Sequence, residues 1–308
     1  MIIEDYIDYS KTYKSKYGDK CIILMQVGSF YEIYSIIDDT SNEIYAVADL
    51  CNIQVSKKNK NISEVSISNP LMAGFPLYTI KKFTSILLSA NYTVVLVEQV
   101  SEPPNPNRQI TDILSPGMDI DINNKNSNYM MVIYYEYIND LPVIGIAGVD
   151  LSTGNTFVYE TGSTTSDTEF ANDEVFRILS TYNPREIVIL SASDYGEKRK
   201  EYLIKNLNLN SRMVHYIWDK YEYISQMTNC KYQNTVLQKA FIAENVLSVS
   251  EFLNLEKLYY CRVSLCCVIQ FAYEHNVDIV KKLNKPDIIN DEKFMYIEYN
   301  SATQLNLI

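Results

Sequence analysis

Gly28-Ser29-Phe30-Tyr31-Glu32-Ile33-Tyr34 follows the apolar run Cys21-Ile22-Ile23-Leu24-Met25-Gln26-Val27, which is rich in strand formers. Gly28 interrupts that run and predicts a bulge, or a close approach of another backbone, within a strand over 21–34. Where the strand resumes, side chains two apart share a face, so Phe30 and Glu32 point the same way. Two readings of that pair stay open here. One is a half-buried core Phe beside a solvated Glu. The other is a recognition pair, a ring that stacks and an acceptor that tests for a donor.

The seven residues resemble Gly-Asp-Phe-Tyr-Glu-Leu-Phe of the mismatch-binding domain of the MutS family, with Ser29 in place of the Asp and Tyr34 in place of the last Phe. Further matches follow in the family's order. Ser56-Lys57-Lys58 is similar to its Thr-Lys-Arg turn, and Pro70-Leu71-Met72-Ala73-Gly74-Phe75-Pro76 to its Pro-Met-Ala-Gly-Val-Pro, with Leu71 extra. Val97-Glu98-Gln99-Val100 and Ser115-Pro116-Gly117 resemble its Cys-Glu-Gln-Ile and Thr-Pro-Gly. Five matches in order are specific, and the likeness continues more faintly to Ile308.

The resemblance implies an α/β chain. A mixed-sheet module like MutS domain I would occupy 1–118, followed by a linker over 119–128 and a ribonuclease-H-like connector over 129–285. The start of the helical core or lever domain would fill 286–308. It implies binding rather than catalysis, with Phe30 and Glu32 at the mismatch and Lys57, Lys58, Tyr78 and Arg108 at the DNA backbone. The full-length family protein is a DNA-dependent ATPase that uses ATP and Mg²⁺. These 308 residues contain no Gly-x-x-x-x-Gly-Lys-Ser/Thr, so no cofactor is expected in this chain. The implied partners are mismatched double-stranded DNA, a second subunit held through C-terminal domains, and a MutL-like protein at the connector.

Composition bounds the reading. At 308 residues and 47% hydrophobic content the chain suggests about two domains with ordinary cores. No apolar run is long enough for a membrane span, and the N-terminus has no basic n-region. Six Cys lack metal-ligand spacing, and Cys261, Cys266 and Cys267 fit a buried helix face. Reduced thiols and an intracellular location are expected. The net charge of −11 speaks against strong DNA binding by this chain alone. Residues 1–120 hold 10 Lys+Arg and 14 Asp+Glu, a balance of −4, which leaves −7 for the remainder. Clustered cations such as Lys57, Lys58 and Lys60 would have to supply any basic face.

In chain order, the pattern predicts an amphipathic helix over 1–17, the strand over 21–34 and a partner strand over 44–48. A polar loop is expected over 55–67, a helix beginning at Pro76, a strand over 92–97 and an irregular loop over 102–107. Strands are expected over 129–137, 144–149 and 156–159, turning at Asn139-Asp140 and Thr153-Gly154-Asn155. A helix ending before Pro184 and a buried strand over 186–190 follow, the strand parallel to its neighbour. Beyond it the pattern blurs until about Asn234. Helical character is then read at 236–240, 246, 253, 258 and 263–273. A strand over 294–298 precedes a helix capped by Ser301, and a chain stopping there reads as a fragment or a truncated gene.

One residue supports a different chemistry. Asp150, in Gly148-Val149-Asp150-Leu151-Ser152-Thr153-Gly154, ends a strand where ribonuclease-H-like nucleases place a metal-binding carboxylate. Such enzymes need several clustered carboxylates. Glu160 and Asp194 are available but are read in turns and loops, and MutS carries a similar Asp-Ile-Ser-Ser/Thr-Gly without nuclease activity. A turn role for Asp150 is therefore expected. A plain interaction module, with all of these residues serving packing, is the third possibility.

Overall fold

The computed structural model describes residues 2–39, 42–102, 106–117, 128–191, 196–210, 212–217, 221–242, 248–275, 277–281, 283–290, 297 and 299–306. They form two compact units, Met1–Asn128 with Ala272–Ile279, and Tyr129–Phe271 with Val280–Ile308.

The first unit opens with helix α1 (Ile2–Tyr17), acidic in its first turn and basic in its last, as the helix dipole favours. Strands β1 (Cys21–Val27) and β2 (Phe30–Ser35) follow as an antiparallel hairpin, not as one bulged strand. Helix α2 (Glu43–Cys51) occupies the segment expected as a partner strand. Ile44, Val47, Ala48 and Cys51 are buried at helical spacing, and the Asn42 side chain caps the helix by accepting from the Ile44 amide. The β-branched run gave the wrong period because burial, not propensity, decides it.

Strands β3 (Ser56–Lys57) and β4 (Leu71–Pro76) come next, and most of the segment between Val55 and Ile67 is irregular, as expected. Pro76 ends β4 rather than opening a helix. A 3-10 turn (Leu77–Thr79) intervenes before α3 (Ile80–Ser89), which buries Phe83, Thr84, Leu87 and Leu88. Strand β5 (Thr93–Gln99) runs parallel to β1, and β6 (Arg108–Leu114) returns beside it, so Arg108 begins a strand. The mixed sheet has the order β3-β4-β2-β1-β5-β6.

In the second unit, β7 (Tyr129–Ile138), β8 (Leu141–Asp150) and β9 (Asn155–Gly162) form the expected meander. Asn139 and Asp140 both take positive φ, as a two-residue type I′ turn requires. Helix α4 (Phe170–Tyr182) leads to β10 (Glu186–Ser191), which pairs parallel with β7. The blurred region resolves into α5 (Gly196–Asn206), β11 (Met213–Ile217) parallel to β10, α6 (Tyr221–Thr228) and α7 (Cys230–Leu237). Short α8 (Val249–Phe252), long α9 (Tyr259–His275), α10 (Val277–Val280), β12 (Asp287–Ile288) and α11 (Tyr299–Gln304) complete the described elements. Leu253 and Leu258 flank helices rather than lie in them, and Ser301 sits inside α11 rather than capping it. Val246, Asp194 and the strand expected over 294–298 lie outside the described residues, except for Ile297. So does the linker, except for Asn128.

The second sheet has the order β11-β10-β7-β8-β9-β12. Residues from α4 and α5, including Val175, Ile178 and Leu203, pack on the face carrying Met131, Ile133, Ile146 and Tyr159. Helix α9 takes the opposite face at very close range. Any Cβ at Gly145 would lie 2.0 Å from the Tyr260 carbonyl carbon, and Ser264 Oγ donates to the Gly145 carbonyl at 2.8 Å. Gly145→Ala is therefore expected to destabilise the unit by about 1–3 kcal/mol or more through forced backbone separation. Gly162→Ala, where the nearest non-neighbouring atom is 3.6 Å away, serves as its control. Equal urea midpoints for the two variants would contradict the close packing.

Candidate nucleic-acid interface

The turn between β1 and β2 has two residues, Gly28 and Ser29, and Val27 and Phe30 are its closing pair. Gly28 takes φ +59° and Ser29 is not among the residues of positive φ, the pattern of a type II′ turn. Three other segments brace this turn. The Leu77 amide donates to the Ser29 carbonyl at 3.0 Å. Arg108 Nε donates to the Gln26 carbonyl at 2.9 Å, and the Gln99 amide donates to Gln26 Oε1 at 2.9 Å. With its side-chain oxygen turned inward, Gln99 also accepts from Arg108 Nη2 at 3.0 Å and from the Gly28 amide at 3.1 Å.

The register sorts β2 into two faces. Tyr31 and Ile33 are buried, with the Tyr31 ring against Phe75 and Phe75 stacked on Phe83 of α3 at 4.2 Å. Phe30, Glu32 and Tyr34 share the other face. There Tyr6 of α1 sits edge-on against Tyr34 at 5.3 Å. At the turn end of the same face Phe30 remains 44% exposed, and Glu32 is half-buried. Phe30 is therefore not a core residue.

Glu32 lies opposite Gly74 on β4. A Cβ at that position would come 2.6 Å from the Tyr31 carbonyl oxygen and 3.2 Å from Glu32 Cγ. The bare glycine thus leaves room for the Glu32 side chain, whose Oε2 accepts a hydrogen bond from Tyr34 Oη. On the buried face Tyr31 Oη donates to Glu98 Oε1. Three of the sequence motifs therefore converge, with Gly74 across from Glu32 and Glu98 and Gln99 beside the turn.

The cations are distributed differently. Tyr78, 87% exposed, stands two residues past Pro76, the β4 partner of Phe30, so it belongs to the same end of the sheet. Exposed Lys81 and Lys82 follow it in the first turn of α3. Sequence reading missed them, although a Lys pair five residues after Pro76 is a visible signal. Arg108 is committed to the turn by its hydrogen bonds. Lys57 pairs with Leu71, five residues along β4 from Pro76, which is about 16 Å from the Phe30 end. Its ammonium lies 3.3 Å from Asp38 Oδ2 and also donates to the Ser63 carbonyl. Lys58 is exposed beside it.

Asp150 and Glu160 of the second unit are engaged in local hydrogen bonds. Asp150 is buried, and its Oδ1 accepts from the Ser152 amide at 3.0 Å and from the Ser152 hydroxyl, the expected turn role. Glu160 lies within β9, not in a turn, and its Oε2 caps α9 by accepting from the Tyr260 and Cys261 amides at 2.7 and 3.0 Å. Burial raises its pKa while these two amides pull it back. Asp150 pairs with Asn155 and Glu160 with Gly145, so the two lie on opposite faces of the sheet. Among the described residues no group of three His, Cys, Asp or Glu is placed to hold a metal.

Residues 6–123 match the family MutS domain I. A protein of Acanthamoeba polyphaga mimivirus named as a DNA mismatch repair mutS homolog is 29% identical over 98% of this chain and 29% of its own length. The DNA mismatch repair proteins MutS of Clostridioides difficile and Borreliella burgdorferi are 23% and 26% identical, over 96% and 99% of this chain. They are covered over 27% and 31% of their lengths. Residues 6–123 thus match the MutS domain I family, and the chain, similar over nearly its whole length to these relatives, spans about three tenths of theirs.

A pH effect follows from the strand next to the turn. Burial first, and the Glu98 carboxylate second, raise the pKa of Asp112. A raised carboxyl pKa means that its contribution to stability is full below the ordinary Asp range and is lost as pH rises through the raised value. Asp112→Asn should therefore raise Tm at pH 7, on the order of 1 °C because the group is partly solvent-screened. It should leave Tm unchanged at pH 3. Thermal melts at the two pH values test this, and equal effects at both would contradict it.

Proposed function

We propose that this chain recognises mispaired or unpaired bases in double-stranded DNA, as the mismatch-binding and connector part of a MutS-like repair protein. The observation that carries the proposal is an exposed Phe at the tip of a hairpin braced from three segments, with a carboxylate on the same face. A mispaired base is held less firmly in the stack, so displacing it costs less. Phe30 would enter the minor groove as a wedge, stack on that base and kink the duplex. Glu32 supplies the test. Beside a matched duplex its carboxylate meets only phosphate repulsion. At a mismatch a displaced base offers a ring N–H, and the hydrogen bond offsets the repulsion by about 1.5–3 kcal/mol.

Tyr78 stands near enough to the wedge to touch the adjacent backbone. Lys57 and Lys58, about 16 Å along the sheet, would reach phosphates about five base pairs away at about 3.4 Å per step. Arg108 serves this surface by holding the turn. The strand order β9-β8-β7-β10-β11, with helices on both faces, supports a ribonuclease-H-like connector for the second unit. Asp150 does not favour a nuclease, given its turn role and the place of Glu160 on the opposite face of the sheet. Binding rather than turnover is assigned to these residues. ATP hydrolysis with Mg²⁺, dimerisation and a MutL-like partner docking at the connector are assigned to the assembled family protein. An intracellular setting, where DNA and free thiols coexist, belongs to the same proposal.

Phe30→Ala is expected to cost about five- to a hundredfold in heteroduplex affinity, the value of one base–aromatic stack. Weak, salt-sensitive binding to matched DNA should remain. Titrations of a labelled duplex carrying one unpaired thymine, against its matched control, read this directly, and an unchanged affinity ratio would remove the wedge. Glu32→Ala is expected to act differently, narrowing the ratio by tightening binding to the matched duplex. Flat homoduplex affinity at one fixed salt concentration would deny Glu32 that role.

A further inference from the structure

We propose that Tyr34 is a specificity-determining residue of this surface: its hydroxyl holds one carboxylate oxygen of Glu32 and presents the other as the acceptor for a mispaired base. The inference rests on the mismatch-binding role assigned above. Tyr34 and Glu32 are two apart on β2 and share the face that ends at exposed Phe30, and Tyr34 Oη donates to Glu32 Oε2. The Tyr34 ring is itself held, edge-on against the buried Tyr6 of α1 at 5.3 Å. Across β4 the neighbour of Glu32 is Gly74, which has no side chain to steady it. Among the described residues the Tyr34 hydroxyl is the group that hydrogen bonds this carboxylate, and it does so before any DNA arrives.

The chemistry of the donor is suited to the task. Burial, and then the adjoining carboxylate, push the Tyr34 pKa well up, so the phenol keeps its proton and remains the donor. Where the resembled motif ends in Phe, this chain has Tyr34, so the hydroxyl belongs to this chain's own version of the site. A Glu side chain that must be ordered on binding costs affinity, and ordering it beforehand removes that cost. A carboxylate fixed in place is also less able to swing away from the phosphates of a matched duplex, which sharpens the rejection.

The test uses the 308-residue chain with Tyr34→Phe, which keeps the ring on Tyr6 and deletes only the hydroxyl. Affinities for the unpaired-thymine duplex and for its matched control are measured on one preparation, so any loss of folded protein cancels in their ratio. The ratio is expected to fall about two- to tenfold, the value of one pre-ordered side chain. In a Glu32→Ala background the same substitution should leave the ratio unchanged, because the hydroxyl acts through Glu32. A ratio unaltered by Tyr34→Phe overturns the inference. So does an equal drop in the presence and absence of Glu32, which would mean that the hydroxyl only supports the fold. If the unmutated chain itself does not distinguish the two duplexes, the mismatch-binding role fails, and the inference falls with it.

Discussion

The register of the β1–β2 hairpin governs the first unit. A two-residue turn leaves one way to pair the strands, Val27 with Phe30 and Met25 with Glu32. Side chains alternate with period two, so a slip of one residue would turn Phe30 into the core and push Tyr31 out. Tyr31 has a ring contact with Phe75 and a hydrogen bond to Glu98, both of which such a slip would lose. The apolar face therefore holds the register, and the register holds Phe30 in the open.

The turn is stiffened from outside the hairpin. Leu77, Gln99 and Arg108 come from three different parts of the chain, yet all hydrogen bond within residues 26–29. A free hairpin tip is a mobile element, and these bonds hold the backbone that carries Phe30, as its proposed stacking role requires. An acidic chain gains little from long-range attraction to DNA. The proposed contact surface would then rely on a few well-placed groups, in keeping with a stiffened tip and with Tyr78 and the exposed lysines around the same sheet.

In the second unit Glu160 and Asp150 serve the backbone. Glu160 meets the amide end of α9, where a negative charge is favoured, and Asp150 closes the turn after β8. Gly145 lets α9 approach the sheet at backbone range, and the stacked pair Tyr134–Tyr260 flanks that contact. These are packing solutions, and they account for residues whose types alone resemble a metal site.

Much of this protein is determined locally and was legible in the sequence. The meander of β7, β8 and β9, the turn at Asn139-Asp140 and the buried β10 follow from short-range periodicity and turn chemistry, which need no distant partner. The ordered motifs carried the family, because each is a short run of particular side chains. The period of 43–51 and the course of 196–228 were not legible, since Ile44 and Val47 in the first, and Leu203, Leu207, Met213 and Met227 in the second, are buried by tertiary packing that the local pattern does not show. The candidate site divides in the same way. Phe30 and Glu32 were readable as a same-face pair, but that Phe30 is exposed, that Gly74 faces Glu32 and that Arg108 braces the turn depend on strand pairing. Those facts join residues 42 and 82 positions apart, and only the folded sheet, through its hydrogen-bonded register, decides which of them meet.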